Sequence, residues 1–226
     1  MLSTTAQVII YLAVLIPSVI LHEISHGWIA YKCGDDTAKR AGRLTLNPFA
    51  HLDPIGSVLM PLMFALAHIP PFGYAKPVPV NINRLRKPRN QSVYVALAGP
   101  AMTIVLAAIG WAVASIMIVS HYGWSYQSIG QFEFLTPNSY LLWYFIYFGL
   151  INMLLFVFNM LPIPPLDGSA VVERLWPRKH LASYFEYRRR AMPVLIILVL
   201  ASFFFHWTDG AANWLQNKYF SILPTG

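Results

Sequence analysis

Residues 21–36 read LHEISHGWIAYKCGDD, and they follow a run from Leu2 to Leu21 that carries no charged residue. An uncharged stretch of that length makes a helix able to cross the roughly 30 Å hydrocarbon core of a bilayer. Its continuation nevertheless holds His22, Glu23 and His26. An ionisable group inside an apolar helix is costly and points to function. On a helix, residues i and i+4 share a face, so His22 and His26 are placed to hold one metal ion between them. Glu23, next to the first histidine, is placed to act on a metal-bound water as general base, the mechanics of H-E-x-x-H hydrolases. Random placement of this chain's 7 histidines and its glutamates would give the motif in about 0.4% of such chains. The competing account, polar residues hydrogen-bonded at a helix end, leaves Glu23 unexplained.

Composition sets the class. The 226 residues are 57% hydrophobic and 11% charged, with a mean hydropathy of +0.52, against about 25% charged in a soluble globular chain. These values describe a membrane protein, expected from the spans set out below to be all-α and polytopic, and the length fits a single domain over residues 1–226. The net charge of +7 and pI near 9.6 do not call for nucleic acid, because membrane proteins gather basic residues in cytoplasmic loops. The single cysteine, Cys33, excludes an intramolecular disulfide and a multi-cysteine metal site.

Four uncharged stretches suit membrane crossing, giving core spans of about 7–31, 92–120 and 139–166 and an extra C-terminal span of about 191–208. A fifth, 55–75, is broken by Pro61, Pro70, Pro71 and Gly73, and reads either as a span or as a re-entrant segment. Of the 16 lysines and arginines, all but Lys218 fall in three groups, at 32–43, 76–89 and 174–190, with none before the first span and none at 120–138. That distribution obeys the positive-inside rule when 55–75 enters and leaves on one side, which puts the N-terminus outside. The first span lacks a basic leading region and a small-residue cleavage site, so it is expected to remain in the mature protein. Tyr122, Trp124 and Tyr126 suit an outer interface belt.

A catalytic zinc usually takes three protein ligands and keeps one position open. Among nine acidic residues, Asp167 alone sits at the end of a span, in NMLPIPPLDGSAVV (159–172). Pro162, Pro164 and Pro165 break the helix before it, and Gly168 allows a tight turn. Broken helix at membrane depth is tolerated where it lines a cavity. Asp167 is the third expected ligand, and a second role as cap of a helix from 168 onward is compatible with it. Asn152 and Asn159, seven apart and so on one helix face, are candidates for substrate binding or for interhelical hydrogen bonding.

Taken together, the HEISH run at 22–26, ALAGPAM at 96–102 and NMLPIPPLDG at 159–168 resemble the site-2 protease family of intramembrane zinc metalloproteases. GRLTLNPFAHLDPIGS (42–57) and GYAKPVPVN (73–81) are similar to the compact members without a PDZ domain. The resemblance covers most of residues 10–175 and leaves out the last span. It implies one zinc ion per chain on His22, His26 and Asp167, with Glu23 as the catalytic base. The implied reaction is hydrolysis of a peptide bond in or near the transmembrane helix of a membrane-anchored protein substrate, as in regulated intramembrane proteolysis. The expected setting is an integral protein of the bacterial inner (plasma) membrane, with the active site near the cytoplasmic side. Many members carry an asparagine three residues after the Ala-Gly-Pro proline, as a substrate or oxyanion ligand. Here that position is Thr103, a hydroxyl with shorter reach.

The alternation in GRLTLNP (42–48) suggests a short β-hairpin-like loop whose edge would pair with an unwound substrate, or a loop with no substrate contact. His51 and Asp53 read as parts of an Asp-Pro turn. Two other functions compete: a non-catalytic membrane scaffold, which has no use for Glu23, and an ion-coupled transporter, for which no inverted repeat is visible. Expected partners are the bilayer and a transmembrane substrate.

Overall fold

A computed structural model of the chain describes residues 4–53, 59, 76–122, 140–180, 182–191, 193, 214 and 217–218. The described residues are mostly helical and contain no strand. Helix α1 runs Thr4–Lys32, α2 Thr37–Arg40, α3 Pro88–Tyr122, α4 Tyr140–Asn159 and α5 Ser169–Leu175. Short 3-10 turns occupy Pro48–His51, Ile82–Arg84 and Arg178–His180.

Three of these helices are long and apolar enough to cross a membrane, over Ile9–Lys32, Pro88–Ser120 and Tyr140–Asn159. Their outward residues are apolar as well: Ile9, Leu12 and Ile16 on α1, Val105, Ile109 and Ile116 on α3, and Leu141 on α4 are all exposed. So much exposed apolar surface suits lipid, not water. The expected fourth span (191–208) and the re-entrant segment (55–75) lie almost wholly outside the described residues.

Two local features depart from expectation. The third span, expected to reach 166, ends at Asn159, because proline at 162 has no N–H to continue the ladder. Residues 42–48 form turns and bends instead of a strand. Local side-chain bonds account for this: Asn47 N donates to Thr45 Oγ1 (3.2 Å), and Asn47 Oδ1 caps the next turn through Phe49 N (3.1 Å). Such bonds compete with a strand ladder for the backbone.

The chain divides into two compact units, one of residues 1–18, 103–157 and 207–226, the other of 19–102 and 158–206. In the first, Ala114 and Ile118 of α3 pack with Leu142, Ile146 and Leu150 of α4, while Ile10 and Val14 of α1 pack with Ile151. Gly110 and Gly149 bring the α3 and α4 backbones together: a Cβ at 110 would fall 2.5 Å from Gly149 N. Asn152 is fully buried there and donates through Nδ2 to Ser18 Oγ and to Phe148 O, each at 2.8 Å. Thr103 is fully buried in the same unit.

The second unit takes in the C-terminal part of α1, from residue 19 onward. Ala30 packs with Leu85 and Val95. Asp35, fully buried just after α1, accepts from Thr37 N (3.0 Å), the Thr37 hydroxyl and Asn81 N (2.6 Å). One carboxylate thus ties the end of α1 to the chain that leads into α3. Asp36 beside it pairs with Arg40 and Arg84, each at 2.5 Å. Partial burial alone would raise the Asp36 carboxyl, but the two guanidinium groups hold it below the usual carboxylate range.

Candidate metal centre

Every residue of the centre belongs to the second unit. His22 and His26 lie one turn apart on α1, 7% and 9% exposed, with their Nε2 atoms 3.0 Å from each other. Asp167 reaches them because the chain folds back after α4. Gly168 N donates to Asn159 O at 2.7 Å, which closes the proline-containing turn and returns Asp167 to the helix end. Its Oδ2 lies 3.1 Å from His22 Nε2 and 3.4 Å from His26 Nε2. The carboxylate does not cap α5: Gly168 holds the cap position, without a side-chain bond.

The three donor atoms fit a zinc ion on two grounds. Tetrahedral bonds of about 2.0 Å place any two ligand atoms about 3.3 Å apart, close to the separations found. The second ground is chemical. His26 Nδ1 donates to Val95 O at 2.7 Å, which leaves Nε2 as a lone pair. That lone pair, the Asp167 carboxylate and His22 Nε2 converge in a buried place where acceptors alone would repel. A cation between them resolves the conflict. Among the described residues, His22, His26 and Asp167 are the one group of three such side chains able to hold a metal.

Gly99 of α3 explains why the helix comes so near. A Cβ there would fall 2.4 Å from His26 Nε2 and 2.5 Å from His22 Cε1, so any side chain would collide with the two imidazoles. Glu23, Asn159, His22, His26 and Asp167 line one cleft of about 370 Å³. Glu23 Oε2 accepts from Val78 N at 2.9 Å.

The structure therefore brings together His22, Glu23, His26, Asp167 and Asn159. Asn152 and Thr103 belong to the first unit and do not line this cleft. Sequence reasoning missed three contributors. Val78 and Val95 act through backbone atoms, which no side chain announces, and Gly99 stood in a quoted motif whose physical purpose needed the histidines beside it.

A histidine pair on an apolar helix, met by a carboxylate and with a glutamate between them, is the donor set of the zinc-dependent proteases of membranes. Comparison with known sequences goes further: the profile of peptidase family M50 matches residues 10–140 and 134–202, and the chain belongs to that family, the site-2 proteases. It is 40% identical over 163 residues to "Putative zinc metalloprotease YwhC" of Bacillus subtilis, covering 72% of this chain and 67% of that one. "Putative zinc metalloprotease Rip2" of Mycobacterium tuberculosis is 28% identical over 200 residues, 88% of this chain and 69% of the relative. Its namesake in Mycolicibacterium smegmatis is 31% identical over 174 residues, 76% and 59% respectively. No solved structure matches the chain. The protein is thus a zinc-dependent protease and an integral membrane protein.

Proposed function

We propose that this chain is an intramembrane endopeptidase, with His22, His26 and Asp167 as zinc ligands and Glu23 as general base, acting on the transmembrane helix of a membrane-anchored protein. The observation that carries the proposal is the shared cleft: Glu23 opens into the same 370 Å³ space as the three donor atoms. A scaffold would need no such glutamate.

Zinc held by the three residues would supply a Lewis acid and lower the pKa of water to near neutrality. The chain's own groups do the rest. Glu23 Oε2 is held by Val78 N, leaving Oε1 to take the proton of the attacking water and pass it to the departing amine. His26 stays oriented because Val95 O accepts its Nδ1 proton. Of the three expected substrate-binding residues, Asn159 is the one that lines the cleft, and we assign it to substrate contact. Asn152 has its amide nitrogen committed to Ser18 and Phe148, and we assign it to packing.

The topology we propose keeps four spans, with 55–75 re-entrant and the N-terminus outside. Lys76 N donates to His51 O at 2.9 Å, so the described residues on either side of the segment meet, which supports the re-entrant reading. The basic residues of 32–43 and 76–89 share a unit with the cleft, which supports a site near the cytoplasmic side.

The deciding experiment measures zinc per chain in mild detergent for the unaltered protein, His26→Ala and Asp167→Ala, beside cleavage of a reconstituted transmembrane substrate. About one zinc per chain, sharply reduced in both variants together with cleavage, is the expected result. Zinc retained in Asp167→Ala would defeat the ligand assignment.

A further inference from the structure

We infer that Arg188 forms a carboxylate-binding subsite of the cleft, so that the protease favours substrates presenting an acidic group beside the scissile bond. The inference rests on the endopeptidase reading for its meaning, and on the following geometry for its existence.

Among the described residues lining the cleft, the acidic ones are Glu23, Asp167 and Glu173, and the one lysine or arginine is Arg188. The acids nearest the chemistry are engaged: Asp167 faces the histidines, and Glu23 accepts from Val78. Arg188 is not engaged in the same way. Its ion pair with Glu173 measures 3.9 Å, beyond hydrogen-bond length, with the two side chains 54% and 34% exposed. A loose, half-exposed pair of this kind holds its partners weakly and yields to a better one. The guanidinium fork is therefore available for a planar, bidentate contact, and a carboxylate is the peptide group that matches it.

The helical stretch 182–191 turns this arginine into the cleft by construction. Tyr184 is fully buried, its ring 5.7 Å from that of Trp176 and its hydroxyl donating to Ser169 O at 3.3 Å. Tyr187 donates to Pro162 O at 3.3 Å. Positions 184, 187 and 188 share one helical face, so two tyrosines tied to the segments flanking Asp167 carry Arg188 with them. The neighbouring Arg190 is drawn away by Glu186 at 2.6 Å. Of the consecutive arginines 188, 189 and 190, Arg188 is the one that lines the cleft. Glu173 then acts as a resident stand-in that a substrate carboxylate displaces.

The test uses the zinc-loaded full chain carrying Glu23→Gln in detergent micelles, with fluorescently labelled peptides and binding read by anisotropy. Each peptide has an apolar run of about 20 residues, followed by a flank in which a single Glu, or Gln as control, is moved one position at a time. All flanks end in an amide, and a parallel Gln series ends in a free acid. A Glu at one or two positions is expected to bind about tenfold more tightly than Gln. The added substitution Arg188→Gln should bring that ratio to about one, Arg188→Lys should keep part of it, and Glu173→Gln should enlarge it. A gain in the free-acid series instead identifies a chain terminus as the source of the carboxylate. Equal binding of all series, a preference that survives Arg188→Gln, or no binding of any peptide would overturn the subsite. The unaltered enzyme is assayed on the same peptides. Binding that discriminates without any cleavage would defeat the endopeptidase reading and leave the subsite standing.

Discussion

Val78 N donates to Glu23 Oε2 at 2.9 Å, a bond between residues 55 apart in sequence that ties the chain entering from 76 to the motif helix. A carboxylate held by one oxygen keeps the other for proton transfer. Glu23→Gln should retain about one zinc per chain while cleavage falls about a hundredfold to ten-thousandfold. Val78→Pro removes the N–H without touching a ligand, and the lost charge-assisted bond should slow cleavage about tenfold with zinc intact. Cleavage rates and zinc content on the same preparations check both, and an active Glu23→Gln would remove this residue from the mechanism.

Gly99 matters through what it lacks. A Cβ at this position would fall 2.4 Å from His26 Nε2, inside the space shared by the donor atoms. Gly99→Ala should weaken zinc binding at least about tenfold, the scale seen when the surroundings of a metal site are disturbed. Titration with a competing chelator measures this. Unchanged affinity would mean that α3 does not approach the histidines as closely as described.

How far the sequence reaches depends on how local each determinant is. The His22-Glu23-His26 set was legible because one helical turn brings its members together and nothing distant is required. Asp167 was reachable by a different route, since few acidic residues compete and the prolines before it break the span. The contacts of Val78 and Val95 were not legible, because any residue but proline has the N–H and every residue has the carbonyl that these positions use. The length of the third span was overestimated because hydropathy continues through Met160, Leu161 and Ile163, while the backbone stops at Asn159 for want of a donor at Pro162. The alternation of Leu44 and Leu46 resembled a strand, but hydrogen bonds accepted by Thr45 Oγ1 and Asn47 Oδ1 take the backbone into turns. Periodicity over so few residues cannot weigh that competition.

Asp35 binds two segments of the second unit. It is fully buried and accepts from Thr37 N, the Thr37 hydroxyl and Asn81 N. Asp35→Ala would strand two backbone donors at once, and each buried unsatisfied group costs about 1–3 kcal/mol. A loss of about 3 kcal/mol in stability is expected, measured by denaturant unfolding in detergent. Zinc content of the fraction that remains folded should stay near one per chain, since no ligand is altered. A stability loss below about 0.5 kcal/mol, the scale of an ordinary surface change, would remove Asp35 from this role.

Gly110 supplies a contrasting case, because it lies in the first unit and shares no residue with the metal centre. In a bilayer, helices associate through close packing and not through the hydrophobic effect, so small residues at the contact decide how near two backbones come. A Cβ at 110 would meet Gly149 N at 2.5 Å and Gly149 Cα at 2.7 Å, both backbone atoms that cannot rotate aside. Gly110→Leu must therefore push α3 and α4 apart, disturbing the packing of Ala114 and Ile118 against Leu142 and Ile146. A destabilisation of about 1–3 kcal/mol follows from overpacking of this kind. Gly110→Ala should show a smaller loss of the same sign, and its effect should not add to that of Gly149→Ala, because the two positions are in contact. Additive effects would mean that the two glycines do not face each other.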